Sequence, residues 1–352
     1  MPEVVFAVPG DLHTPTGGYI YDRRVIELLP EFGWQVRHLG LPGEYPSPTA
    51  ASLEATGKAL ASTPADALIV IDGLAFGAMP ADLIDAARRR IVALVHHPLA
   101  FETGLDKKRA EYLARTEEAA LARTEHVIVS SPSTADLLAT EFGVPRGRIS
   151  VAEPGTDAAP RARGDAVPPR LLSVGSVTAR KGYDVLVAAL QQISDLEWES
   201  RIVGSLDRDD ATRQAIRAAI TRAKLGDRVR LLGTLRDQQL SDEYDRARLF
   251  VLPSHFEGYG MAFAEALARG LPIVGCAGGA VTSTVPADAG VLVPPGDVDM
   301  LAKSLRRLLT DHSELSRLSD AAWRHATQLP RWRDTARKFA AALDAVDRKR
   351  TQ

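Results

Sequence analysis

Short β-branched apolar runs alternate with longer helical patterns along this chain, and the alternation runs through twice. In the first half the runs are VVFAV (4–8), QVRHLGL (35–41), ALIVID (67–72), IVALVH (91–96), HVIVSS (126–131) and ISVAEP (149–154). Helical stretches such as Tyr19 to Phe32 and Asp106 to Arg123 separate them. Neighbouring parallel strands need a long crossover, usually a helix, so this alternation predicts a parallel sheet covered by helices. A second set consists of LLSVGSV (171–177), ESRIVGS (199–205), RVRLLG (228–233), LFVLPS (249–254), PIVGCA (272–277) and GVLVP (290–294). Between the sets, GTDAAPRARGDAVPP (155–169) lacks either periodicity and is rich in Gly, Pro and Ala, which marks a linker. The expected fold is α/β, two Rossmann-like parallel-sheet domains facing a cleft, at 1–160 and 170–330. A length of 352 residues suits two cores. Ligands in such sheets collect beyond the carboxyl ends of the strands, which is where chemistry is sought.

Composition removes several function classes. With 43 Lys and Arg against 45 Asp and Glu, the chain lacks the basic excess of a nucleic-acid binder. One cysteine, Cys276, excludes an intrachain disulfide and fits a cytoplasmic setting. The first residues lack the basic start and long apolar region of a secretory signal. No apolar run reaches the length of a membrane span, which leaves peripheral membrane contact open.

Four constellations fall at strand ends. Gly17 and Gly18 lie between the first strand and the first helix, either as a plain turn or as a backbone approach to an anion. Arg180 and Lys181 follow the first strand of the second half, and Gly182 opens the next helix; the pair reads as a solvated turn or as a diphosphate site. His96 and His97 end an apolar strand, where a histidine can exchange a proton with a reacting hydroxyl. Adjacent strand residues point to opposite faces, so one of the two is expected to enter the cleft. No further ligands at suitable spacing accompany them, and no metal is expected. Asp207-Arg208-Asp209 reads as a surface turn and Asp297-Val298-Asp299 as a helix cap rather than as metal sites.

The fourth is FEGYGMAFAEALARGLPIV (256–274), in which Glu257 and Glu265 flank the start of a helix expected to begin at Tyr259. At about 1.5 Å per residue, Glu265 stands roughly 9 Å from that start. A diphosphate lodged there would have one carboxylate on each side, one for sugar hydroxyls and one for a ribose diol, with Gly258 and Gly260 giving backbone amides access. Alternatively Glu257 complements the helix dipole and Glu265 is a solvated helix residue.

This stretch resembles the Glu-x7-Glu signature of retaining glycosyltransferases of the GT-B fold, specifically family 4. SVGSVTARKGYDVL resembles that family's phosphate-binding turn, and GTLRDQQLSDEYDRARLFVLPS the segment leading to its signature helix. The Gly17-Gly18 loop and the HHPL segment also fall where the family has a glycine loop and an active-site histidine. The resemblance covers nearly the whole chain. It implies that Lys181, helped by Arg180, binds the donor diphosphate, that Glu265 binds ribose, and that Glu257 meets the transferred sugar. It further implies backbone contacts from Gly258, Tyr259, Gly260 and Met261, a base site near Leu235 and Arg236, and His96 or His97 facing sugar and acceptor. A helix from Trp332 onward, within 331–352, would cross back to the first domain.

Two departures accompany it. Ser176 stands where many relatives have an arginine, a charge that Arg180 would supply, and AGGAVTSTVP lacks a glutamate often found after the glycines. The implied reaction is metal-independent and cofactor-free transfer of a sugar from a nucleotide-sugar donor, a UDP- or GDP-sugar, with retention of configuration. The acceptor is a glycan, a lipid-linked molecule or a small molecule. A GT-B-like sugar-nucleotide epimerase or hydrolase and a catalytically silent binding protein are the alternatives.

Overall fold

The computed structural model describes residues 1–348. The chain forms two compact units, Met1–Gly155 with the stretch from Pro330 onward, and Thr156–Leu329.

In the first unit, six parallel strands form one sheet in the order β2-β1-β3-β4-β5-β6. They are β1 (Glu3–Pro9), β2 (Gln35–Leu41), β3 (Leu68–Asp72), β4 (Arg90–Val95), β5 (His126–Val129) and β6 (Ile149–Val151). Every residue of β3 and β5 is buried, as strands covered on both faces require, whereas edge strand β2 is mostly exposed, Gln35, Arg37 and His38 among its exposed residues. The second unit repeats the design with β7 (Arg170–Val174), β8 (Glu199–Val203), β9 (Val229–Gly233), β10 (Leu249–Leu252), β11 (Ile273–Cys276) and β12 (Gly290–Val293). These are ordered β12-β11-β10-β7-β8-β9 and are again parallel. Each unit has its own apolar core, around Ile69, Phe76 and Leu94 in the first and Phe250, Phe263 and Val274 in the second.

All twelve apolar runs become strands, and the two-sheet α/β expectation holds. The runs overshoot at their polar tails: β5 stops at Val129 because Ser131 turns to cap helix Pro132–Glu141, accepting from the Thr134 amide at 3.1 Å. Helix Gly17–Leu28 ends before Pro30, which lacks the amide hydrogen that an α-helix needs, and continues as a 3-10 turn, Leu29–Phe32. The signature helix is Met261–Leu267, two residues later than the sequence pattern suggests. Gly260 sits at φ +92°, outside helical geometry, and the Tyr259 carbonyl accepts from the Thr284 hydroxyl at 2.5 Å. Asp297 caps helix Val298–Thr310, and Asp209 caps helix Asp210–Arg222, so both Asp-x-Asp arrangements serve helix termini.

Strand order matters for function because it reverses direction once in each sheet, between β1 and β3 and between β7 and β10. The connections leaving such a pair diverge to opposite faces and open a crevice at the carboxyl ends.

Candidate active site

In the second unit, the segments after β7 and β10 meet at this reversal. The first makes a 3-10 turn, Ala179–Lys181, and Gly182 at φ +64° then starts helix Tyr183–Gln192. A Cβ on Gly182 would lie 2.2 Å from the Pro253 carbonyl oxygen, so glycine is what permits the two segments to touch. The His255 amide donates to the Arg180 carbonyl at 2.8 Å and fixes their register. Both cations then reach one carboxylate. Lys181 Nζ lies 2.6 Å from Glu257 Oε1, and Arg180 Nη1 lies 3.1 Å from Glu257 Oε2 while donating to the Phe256 carbonyl at 2.7 Å.

Glu257 is 6% exposed. Burial by itself would raise its pKa, but Lys181 and Arg180 outweigh that and hold the carboxyl at about 2. The sequence pattern treats Arg180-Lys181 and Glu257 as separate sites; the fold makes them one ion cluster, with Glu257 on the cations rather than across a phosphate from them. Arg180 and Lys181 thus bring two positive charges to the same carboxylate.

The backbone of Glu257 is clamped from the other side. It forms an isolated parallel bridge with Gly279, and its carbonyl accepts from the Ala280 amide at 2.8 Å. A Cβ on Gly279 would stand 2.3 Å from that carbonyl oxygen. Glu265 is held separately. Tyr244, fully buried, donates to Glu265 Oε2 at 2.9 Å, and the Arg269 guanidinium lies 4.4 Å from the Tyr244 ring centroid. Burial pushes the Glu265 carboxyl up, with Tyr244 and Arg269 pulling it back. Glu265 is four residues past Met261, so it stands about 6 Å along the helix from its start rather than 9 Å. Gly258 and Tyr259 lie between Glu257 and this helix, Gly260 precedes it and Met261 opens it. Leu235, half-buried, and Arg236, exposed, follow β9, two strands from β7.

In the first unit, the reversal gathers a different cluster. Gly17 and Gly18 open their helix, capped by Thr16, and Asp22 follows on its buried side; Asp72 ends β3 and His96 follows β4. His96 Nε2 lies 3.2 Å from Asp22 Oδ1 and 3.4 Å from Asp72 Oδ2, with both aspartates buried. Asp72 Oδ1 accepts from the Leu74 amide at 3.0 Å, and Asp22 Oδ2 is buried without a hydrogen-bond partner. The Tyr21 ring packs edge-on to His96 at 5.1 Å, and a Cβ on Gly18 would come within 3.3 Å of His96 Cδ2. Burial opposes the charge on His96, yet the two carboxylates overcome it and raise its pKa to about 10; burial and Asp72 raise that of Asp22 to about 7. His97 takes another direction and pairs with Glu102 at 3.1 Å.

The expectation that no further ligands accompany the histidines is corrected here. Asp22, Asp72 and His96 bring three ligand atoms within 4.8 Å of one another. Both carboxylates address the same imidazole nitrogen, and a proton on Nε2 satisfies that geometry as a charge-assisted hydrogen-bonded cluster without a cation. Sequence reading missed Asp22, Asp72, Tyr244 and Gly279. A signal existed for Asp72, the one charge closing the apolar run ALIVID, and for the Gly278-Gly279 pair after β11; none marks Tyr244.

Two family models match the chain, "Glycosyl transferases group 1" over residues 161–325 and "Glycosyltransferase Family 4" over residues 10–159. Among curated relatives, an MMP alpha-(1->4)-mannosyltransferase from Mycolicibacterium hassiacum is 29% identical over 85% of this chain and 75% of its own length. A D-inositol 3-phosphate glycosyltransferase from Thermobispora bispora is 31% identical over 75% of this chain and 68% of its own. A second protein of that name, from Catenulispora acidiphila, is matched over 55% of its length. The sucrose-phosphate synthase of Thermosynechococcus elongatus superposes with a TM-score of 0.80 at 24% identity, covering 98% of this chain and 99% of that one. Anabaena HepE in complex with UDP-glucose gives 0.75 at 17% identity, covering 97% and 99%.

Proposed function

Since the chain belongs to the family of group 1, or family 4, glycosyltransferases, we propose that it moves a hexose from a nucleoside diphosphate sugar to an acceptor hydroxyl, with retention of configuration and without a metal. The observation that carries this reading is the buried Arg180–Glu257–Lys181 cluster at the strand-order reversal of the second sheet, where two cations stand ready for a diphosphate and a carboxylate for sugar hydroxyls. Glu265, oriented by Tyr244, is suited to a ribose diol. Backbone from Gly258 to Met261 lines the sugar and phosphate in this reading, and Leu235 and Arg236 flank the base. The UDP-glucose held by HepE supports a nucleotide-sugar donor.

In the transfer step the bond between the anomeric carbon and the diphosphate oxygen breaks, and its electron pair stays on the phosphate. The acceptor oxygen bonds to the same face of that carbon and passes its proton to the departing phosphate oxygen. Lys181 and Arg180 stabilise the charge that develops there. His96, protonated by its two aspartates, donates a hydrogen bond to sugar or acceptor rather than acting as a base. The acceptor class is a glycan, a lipid-linked molecule or a small molecule, and the relatives' names make an inositol phosphate the first to test. A cytoplasmic location is part of the reading; no helix among the described residues is long and apolar enough to cross a membrane.

The test is melting of the protein with UDP, GDP and their sugars, followed by product analysis with and without acceptors. A nucleotide at 100 times its Kd adds about 2.7 kcal/mol to stability, a visible shift. No shift with either nucleotide, or sugar release that ignores every acceptor, refutes the proposal.

A further inference from the structure

We propose that Glu257 competes with the donor's diphosphate for Lys181 and Arg180, and thereby makes the site prefer the sugar-bearing donor over the nucleoside diphosphate left after transfer. The inference rests on the reading above, in which a sugar sits beside Glu257.

The argument starts from contacts already present. One carboxylate satisfies two cations at 2.6 and 3.1 Å, and all three side chains are largely shielded from water. A diphosphate that takes the cations leaves Glu257 with two costs: an unpaired charge in a buried place and a like charge next to it. A donor can meet both, because its sugar hydroxyls donate to the carboxylate that the cations release. A free nucleoside diphosphate has no such hydroxyls at its terminal phosphate and bears the costs in full. Once the sugar has been transferred, Glu257 regains its cations and disfavours the remaining diphosphate. The clamp from Gly279 and Ala280 keeps the Glu257 backbone in place throughout, so the exchange is one of side-chain partners.

The experiment is calorimetric titration of the full chain and its Glu257→Gln variant with UDP, GDP, inorganic pyrophosphate and uridine. Glutamine keeps the shape and removes the charge. The variant should bind all diphosphates at least about tenfold more tightly, which is about 1.4 kcal/mol, with uridine unchanged. Equal or weaker diphosphate binding overturns the proposal. Should the glutamine variant not fold, Glu257→Asp, which withdraws the carboxylate by one methylene, should tighten pyrophosphate in the same direction, and an unchanged affinity overturns it equally. Wild-type preference for UDP or GDP over pyrophosphate reads the donor assignment separately: its absence refutes that assignment, while the variant-to-wild-type ratio for pyrophosphate still decides the role of Glu257.

Discussion

Replacing Asp22 by asparagine keeps the shape beside His96 and removes one of the two charges that face Nε2. In the folded chain the His96 pKa rises from 6.5 to about 10, which corresponds to about 5 kcal/mol of net preference for the imidazolium. Burial works against that preference, so the carboxylates together supply more than the net. Their distances, 3.2 and 3.4 Å, are close enough that Asp22 accounts for about half. Asp22→Asn should therefore cost the imidazolium on the order of 2 kcal/mol and lower the His96 pKa clearly below its wild-type value. The sign of the stability effect follows. A histidine whose folded pKa is raised contributes stability that is complete below 6.5 and lost as pH climbs through the folded value, so the wild-type loss extends to about pH 10 and the variant's ends at a lower pH. Asp22 itself, raised to about 7 from 3.8, adds a loss between those values that the variant lacks. Imidazole nitrogen NMR across pH reads the titration directly, with His96→Gln identifying the signal among eight histidines. A wild-type His96 titrating near 6.5, or a variant titrating like the wild type, refutes the reasoning.

Lys181→Ala should weaken UDP or GDP binding far more than nucleoside binding in the same calorimetric assay; equal losses would remove Lys181 from the phosphate site. Glu265→Ala should raise the donor KM by about 1.5–3 kcal/mol with little change in kcat, because a ribose contact is equal in ground and transition states, and an unchanged KM would reject the ribose role. Activity should survive EDTA; complete loss restored by magnesium or manganese would turn the Asp22–Asp72–His96 cluster into a cation site. Gly279→Ala forces a Cβ to 2.3 Å from the Glu257 carbonyl at a backbone φ of +63°, and should lower the melting temperature by several degrees, about 2 kcal/mol or more; a melting temperature equal to wild type would show that the clamp is loose.

The sheets were legible because strands buried on both faces read as short apolar runs, and the helical stretches separating VVFAV, LFVLPS and their like mark them as parallel strands. What each site residue touches was less legible. Lys181 and Glu257 are 76 positions apart and meet only because β7 and β10 are neighbours, a fact of strand order. Asp72 and His96 likewise come from two separate strand ends of one sheet, and Asp22 from the helix that follows β1. The helix start lies two residues later than expected because Gly260 adopts φ +92°, outside helical geometry, and the Tyr259 carbonyl bonds to Thr284, 25 residues on.

The first unit is built from two distant pieces of chain, and this sets an order of synthesis. Helix Trp332–Arg348 stacks Phe339 on Phe6 of β1, accepts the Trp34 indole hydrogen bond at Asp344, and ties Asp347 to Arg90. At Gly155 the two pieces come so close that a Cβ would lie 2.1 Å from the Trp332 amide nitrogen. A ribosome therefore delivers the whole of Thr156–Leu329 before the part that covers Phe6 exists. The second unit has all its residues first, and the first unit, though begun earlier, waits with Phe6 and the Trp34 indole without their partners until translation reaches that helix.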